Sequence, residues 1–160
     1  GHLVLSTLHT NDAITSALRL IDMGAAGFLV GSSLRAIIAQ RLVRKVCENC
    51  KEDYIPDAQE LLWLTNLAGE QAKEIKFVHG RGCQSCQYTG YKGRIGVFEL
   101  LEMNEPMMAA LKRDDAEAFT QLSKENPTFV PLAKAAFDYA IEGVTTVEEV
   151  LRLVEPVDVS

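Results

Sequence analysis

No stretch of the 160 residues supplies the roughly 18 consecutive apolar residues that a membrane-spanning helix requires; the longest apolar run is Met23 to Gly31. Positive charge is also scarce: 16 Lys and Arg stand against 22 Asp and Glu, giving a net charge of −6 and an isoelectric point near 5.1. That balance argues against a nucleic-acid binder that works by bulk electrostatics, while leaving room for a local basic patch. With only 11 Gly, 5 Pro and 7% aromatic residues, collagen-like, low-complexity and mainly disordered classes are excluded. The segment Gly1–Leu5 has no initiator Met, no basic region and no cleavage site, so it does not read as a secretory signal, and the chain reads as cut from something longer. What remains, 48% hydrophobic and 24% charged, is an ordinary globular composition with enough apolar material for one domain or two small ones.

Hydropathy patterning predicts an α/β chain. Leu3–Leu8 is a short apolar run ending in small polar residues, the pattern of a strand buried on both faces. Asn11 or Asp12 offers an N-cap, and Ile14, Ala17, Leu18 and Ile21 recur at helical spacing until Gly24. A second helix is expected from Ser32 or Ser33, carrying Leu34, Ile37 and Ile38, and giving way to a strand over Leu42–Val46. Lys51–Pro56 reads as loop, Gln59–Ala68 as an amphipathic helix with Trp63 in the core, and Ile75–Val78 and Val97–Leu101 as strands. After Pro106 the pattern is helical, and Thr146 with Glu149 reads as a capping box for a last helix bearing Val150, Leu151 and Val154.

All the cysteine lies in two knuckles, Cys47-Glu48-Asn49-Cys50 and Cys83-Gln84-Ser85-Cys86. Zinc takes four tetrahedral ligands, and two intervening residues let both thiolates of a knuckle face one ion. Residues 51–82 form a longer insertion than the roughly 15 to 20 residues of the commonest ribbon pattern. Loop-closure entropy grows only logarithmically, so a self-folding insertion is no obstacle. Two redox C-x-x-C motifs or two disulfides are the alternatives, but one structural site of four thiolates accounts for all four residues together. His79 is expected to be exposed rather than a fifth ligand.

Ser6-Thr7-Leu8-His9-Thr10-Asn11 places hydroxyls, an amide and an imidazole at the C-terminal end of the predicted first strand, where open α/β sheets bind ligands. Alone, the segment reads more readily as a polar loop with His9 packed against its own turn. Taken with Ala39-Gln40-Arg41-Leu42, the two knuckles and Gly90-Tyr91-Lys92-Gly93-Arg94-Ile95-Gly96, the run Gly1–Asn11 closely resembles the secretion ATPases of type II secretion and type IV pilus assembly, over nearly the whole chain and in family order.

That resemblance implies the C-terminal portion of a RecA-like P-loop ATPase domain with an inserted tetracysteine zinc subdomain and a C-terminal helical bundle. The implied segments are 1–46 as the ATPase core, 47–86 as the zinc subdomain, 87–104 as the return to the core and 105–160 as the helical subdomain. Pilus retraction ATPases lack the cysteines, so the resemblance is to the assembly and secretion branch. His9 matches the histidine of the family's histidine box, which faces the γ-phosphate, with Ser6, Thr7, Thr10 and Asn11 shaping that pocket. Arg94 matches an arginine that lies towards a neighbouring subunit in hexamers of the family, where a guanidinium can stabilise charge on a transferring phosphoryl group. A solvated turn arginine is the other reading of Arg94, and structural roles are expected for Arg41 and Arg44.

No G-x-x-x-x-G-K-[ST] phosphate loop occurs in these residues. ATP and Mg²⁺ would therefore be held by residues upstream, and the chain alone is expected to be inactive. The resemblance further implies a cytoplasmic bacterial motor, peripheral to the inner membrane, that forms a homohexamer, docks on inner-membrane platform proteins and does not bind nucleic acid. The alternative of another class is a zinc-ribbon nucleic-acid module, suggested by Tyr88, Tyr91, Lys92 and Arg94 beside the second knuckle. A thiol redox switch is the third reading.

Overall fold

The computed structural model describes residues 2–154; residue 1 and residues 155–160, the outer ends of the first and last expected segments, lie outside the described residues. The elements are α1 (Ala13–Asp22), α2 (Gly27–Ser33), β1 (Ala36–Val46), β2 (Lys51–Tyr54), α3 (Ala58–Ala68), β3 (Phe77–Gly80), β4 (Tyr91–Glu102), α4 (Glu105–Lys112), α5 (Ala116–Lys124), α6 (Leu132–Ile141) and α7 (Val147–Val154). The architecture is mixed α and β. Strand β1 pairs with β4, and β2 pairs with β3.

The described residues form two compact units: residues 2–40 with Glu99–Val130, and Arg41–Phe98 with residues 131–154. The division falls within both β1 and β4. In the first unit Asp12, one of the two caps the sequence offers, caps α1 by accepting the Thr15 N–H at 2.8 Å. Helix α2 packs on α4 because Gly27 and Gly31 face it: a Cβ at Gly31 would lie 2.6 Å from the Met108 carbonyl oxygen. Ala17, Leu101, Met107, Leu111 and Phe119 fill this core. In the second unit the Phe77 and Phe137 rings meet at 6.0 Å, joining β3 to α6, and Val43, Val97, Val147 and Val150 complete the interior. The helices after Pro106 thus divide, α4 and α5 with the first unit and α6 and α7 with the second.

Several expectations are corrected. Leu3–Leu8 is not a strand: neither two-stranded sheet includes it, and Leu3, Val4 and Leu5 are 81%, 79% and 86% exposed. An apolar run becomes a strand only where a neighbour completes its backbone ladder. The helix expected from Ser32 or Ser33 is instead α2, ending at Ser33, and Ile37 and Ile38 belong to β1. Adjacent β-branched residues favour extended backbone over helix.

Lys51–Tyr54 is a strand rather than a loop, paired antiparallel with β3 in the register Lys51↔Gly80 to Tyr54↔Phe77. Its charged sequence carries no local strand signal, and the partner supplies the order. Trp63 is 44% exposed while Leu64 is fully buried, because α3 turns the next position inward. The capping box before α7 is only half made: the Glu149 N–H reaches the Thr146 hydroxyl at 3.4 Å, but the Glu149 side chain is taken by Arg44.

Candidate metal centre

Each knuckle is a tight turn closed by its second cysteine. The Cys50 N–H donates to the Cys47 carbonyl at 3.2 Å, and the Cys86 N–H to the Cys83 carbonyl at 3.2 Å. Gln87 and Tyr88 follow in left-handed conformation, φ 53° and 60°, which turns the chain back over the second knuckle. The two knuckles are drawn together by backbone bonds from Cys47 N–H to the Gly90 carbonyl and from Arg81 N–H to the Cys50 carbonyl, both 2.9 Å. Gly80 and Gly90 make this approach possible. A Cβ on Gly80 would stand 2.0 Å from the Gly90 carbonyl oxygen, a distance no side chain tolerates.

The four Sγ atoms lie within 4.8 Å of one another, with Cys47, Cys50 and Cys86 buried and Cys83 half-buried. Contacts of 3.9 Å between Cys47 and Cys83, and 3.8 Å between Cys50 and Cys86 and between Cys83 and Cys86, are far beyond the about 2.05 Å of a disulfide. They match the sulfur–sulfur edge of about 3.8 Å that a tetrahedral thiolate site with metal–sulfur distances near 2.3 Å must have. The disulfide alternative does not fit this geometry.

Backbone dipoles point at the sulfurs. Cys50 Sγ accepts from the Gly82 N–H at 3.3 Å, and Cys86 Sγ from the N–H groups of Cys83 at 3.2 Å and Gly90 at 3.3 Å. Burial pushes the Cys50 thiol up to about 12 against that single N–H. Burial pushes Cys86 up as well, but its two backbone donors and the thiols of Cys83 and Cys50 outweigh it and hold Cys86 at about 6. Four thiols this close cannot all ionise without a cation among them. The donor set, four sulfurs with neutral N–H groups behind them, fits a metal ion bound as a closed structural site.

His79 is not part of the cluster. Its ring lies 5.2 Å from that of Tyr54, and its Nε2 is 3.1 Å from Glu52 Oε1. Arg44 has the structural role expected of it, clamped by Glu149 and stacked 3.9 Å over the Tyr91 ring. Arg94 is exposed on β4, in the second unit, whereas the His9 segment belongs to the first. There Ser6, Thr7, His9 and Asn11 are exposed and Thr10 is half-buried, its hydroxyl against the Ser16 hydroxyl. Two features went unread in the sequence: the glycine pairing that seats the knuckles, and the buried Glu99 carboxylate, which accepts the Ala13 N–H. The Gly-x-Gly at 80–82 and the Gly90 that follows the second knuckle were the available signal for the first; a lone acidic residue in an apolar strand was the signal for the second.

Among the described residues no helix is long and apolar enough to cross a membrane. The family model for type II/IV secretion system proteins matches residues 1–152. The type II secretion system protein E of Pseudomonas aeruginosa is 41% identical over 96% of this chain, which spans 30% of that protein. A type IV pilus assembly ATPase of Acinetobacter baylyi, TfpB, is 39% identical over 96% of the chain and 26% of its own length. PilB of Thermus thermophilus, also a type IV pilus assembly ATPase, is 36% identical over 94% and 17%. The chain thus spans less than a third of each of these relatives, and it belongs to the type II/IV secretion system protein family.

Proposed function

We propose that this chain is the C-terminal part of the RecA-like motor domain of an ATPase that drives assembly of a type II secretion pseudopilus or a type IV pilus. The observation that carries the reading is the match over residues 1–152, together with relatives named as assembly ATPases. The four-sulfur cluster agrees with the tetracysteine branch of the family.

In this reading Cys47, Cys50, Cys83 and Cys86 hold one zinc ion, which crosslinks the two knuckles and offers no open position for chemistry. ATP and Mg²⁺ are held mainly by residues outside these 160, and turnover requires them. His9, exposed beside Thr10 and Asn11, faces the terminal phosphate, with Ser6 and Thr7 beside it. Arg94 projects towards a neighbouring subunit of a hexamer, where an exposed guanidinium can neutralise charge on the phosphoryl group in flight. The motor works at the cytoplasmic face of the inner membrane, against platform proteins.

The nucleic-acid reading is not favoured, because one of its two aromatic side chains is already occupied, while Tyr88 stays exposed. The Tyr91 ring is covered by the Arg44 guanidinium at 3.9 Å and its hydroxyl bonds Glu148 at 2.7 Å, so it is engaged within the protein rather than free to stack on a base.

The test is steady-state ATP turnover. The full-length ATPase should hydrolyse ATP, the 160-residue chain should not, and His9→Ala in the full-length protein should lower kcat more than it raises KM. Arg94→Ala should lower turnover only under conditions where subunits associate. Turnover unaffected by His9→Ala overturns the role of His9, and a full-length protein without nucleotide hydrolysis overturns the motor.

A further inference from the structure

We propose that Glu99 is a positioning residue for the His9 segment, fixing the entry into α1 through the first N–H of that helix. Glu99 lies on β4, 3% exposed, and its Oε1 accepts the backbone N–H of Ala13, itself fully buried. The first N–H groups of a helix have no partner within it. Asp12 satisfies that of Thr15 at 2.8 Å, and Glu99, distant in sequence, takes the N–H of Ala13. The carboxylate thereby sits at the positive end of the α1 dipole.

The other side of the same turn is held by Ser16. Its hydroxyl donates to the Asp12 carbonyl at 2.6 Å, which leaves its oxygen to accept from the Thr10 hydroxyl. Residues 10–13 are therefore pinned at Thr10 by Ser16, at Asp12 by its own cap and at Ala13 by Glu99. His9, one residue before Thr10, is exposed, so its direction is set by the backbone it leaves rather than by side-chain packing. An apolar side chain at position 99 could fill the same space but could not accept a helix N–H, and the carboxylate gives the first N–H of α1 a fixed acceptor. The inference rests on the reading of His9 as the phosphate-facing residue. It adds to that reading the group that would hold His9 in register with the nucleotide.

The experiment uses Glu99→Ala, Glu99→Gln and His9→Ala in the full-length ATPase, read by ATP kinetics and by peptide-resolved hydrogen exchange. Glu99→Ala should lower kcat by on the order of tenfold or more, with KM for ATP little changed, because a displaced catalytic group loses rate before binding. Glu99→Gln keeps an acceptor oxygen and should retain most of the rate. Exchange should rise in peptides covering residues 9–16 in Glu99→Ala and not in peptides covering 47–90.

In a His9→Ala background, Glu99→Ala should add little further loss. Equal losses in both backgrounds, or exchange at residues 9–16 unchanged in Glu99→Ala, overturn the proposal. Exchange raised uniformly along the chain means that Glu99 serves general stability, and overturns it too. If His9→Ala alone leaves turnover intact, the histidine reading falls, and the exchange measurement still decides whether Glu99 fixes the segment.

Discussion

The Glu149 carboxylate grips Arg44 three times, accepting its backbone N–H at 2.6 Å, its Nε–H at 2.8 Å and an Nη2–H at 2.6 Å, and so ties α7 to the strand that runs into Cys47. The Arg44 guanidinium covers the Tyr91 ring, on the strand that leaves the second knuckle. Thr145 completes the clamp by donating its hydroxyl to the Arg44 carbonyl at 2.7 Å. A helix far along the chain therefore fixes the strand that runs into Cys47 and the strand that leaves the second knuckle of the cysteine cluster.

Breaking a buried ion pair costs about 3–5 kcal/mol, but Arg44 is 35% exposed and can rehydrate, so Glu149→Ala is expected to cost about 2 kcal/mol. Arg44→Ala should cost a similar amount. The double variant should lose clearly less than the sum of the two, as measured by urea unfolding. Strict additivity means that the pair contributes nothing as a unit.

Acid should loosen the same region. Burial raises the Glu148 carboxyl, but the Tyr91 hydroxyl at 2.7 Å, the charges of Arg152 and Arg44 and a hydrogen bond from Arg44 outweigh it, holding Glu148 below its ordinary value. A depressed folded-state value adds stability that is present above the unfolded-state value and lost as pH falls through the folded one. Glu148→Gln should therefore lower stability near neutral pH, and the gap from the parent protein should close below the ordinary glutamate range. Parallel stability curves across that range count against the assignment.

Metal analysis of protein purified without chelator should give one zinc per chain. Stripping it should release protection of backbone amides around residues 47–90, while α4 and α5, packed in the other unit, keep theirs. A zinc content well below one per chain, or equal loss of protection in both units, contradicts a structural zinc confined to the second.

Gly80→Ala places a methyl group 2.0 Å from the Gly90 carbonyl oxygen, so the knuckles must part. Lower metal affinity and a lower Tm are expected. Gly69→Ala, with nothing within 4 Å of its added Cβ but φ +82°, should cost only the local backbone strain of about 1–3 kcal/mol and leave metal content unchanged. Equal zinc content in the two variants would show that the glycine contact does not matter for the site.

The sequence by itself marked the four cysteines that the structure brings together, because two C-x-x-C knuckles state both residue type and local geometry within four residues each. It also determined α1 with a cap at Asn11 or Asp12, α3 and the helical character after Pro106, where propensity, caps and periodicity agree locally. Only the tertiary structure decided that Leu3–Leu8 has no sheet partner, that the charged segment Lys51–Tyr54 is a strand, and that Glu149 serves Arg44 rather than its own helix cap. Each of these depends on a group distant in sequence. Strand pairing, buried ion pairs and the Glu99 anchor on α1 are satisfied by partners that chain folding brings near, and no window of neighbouring residues contains them.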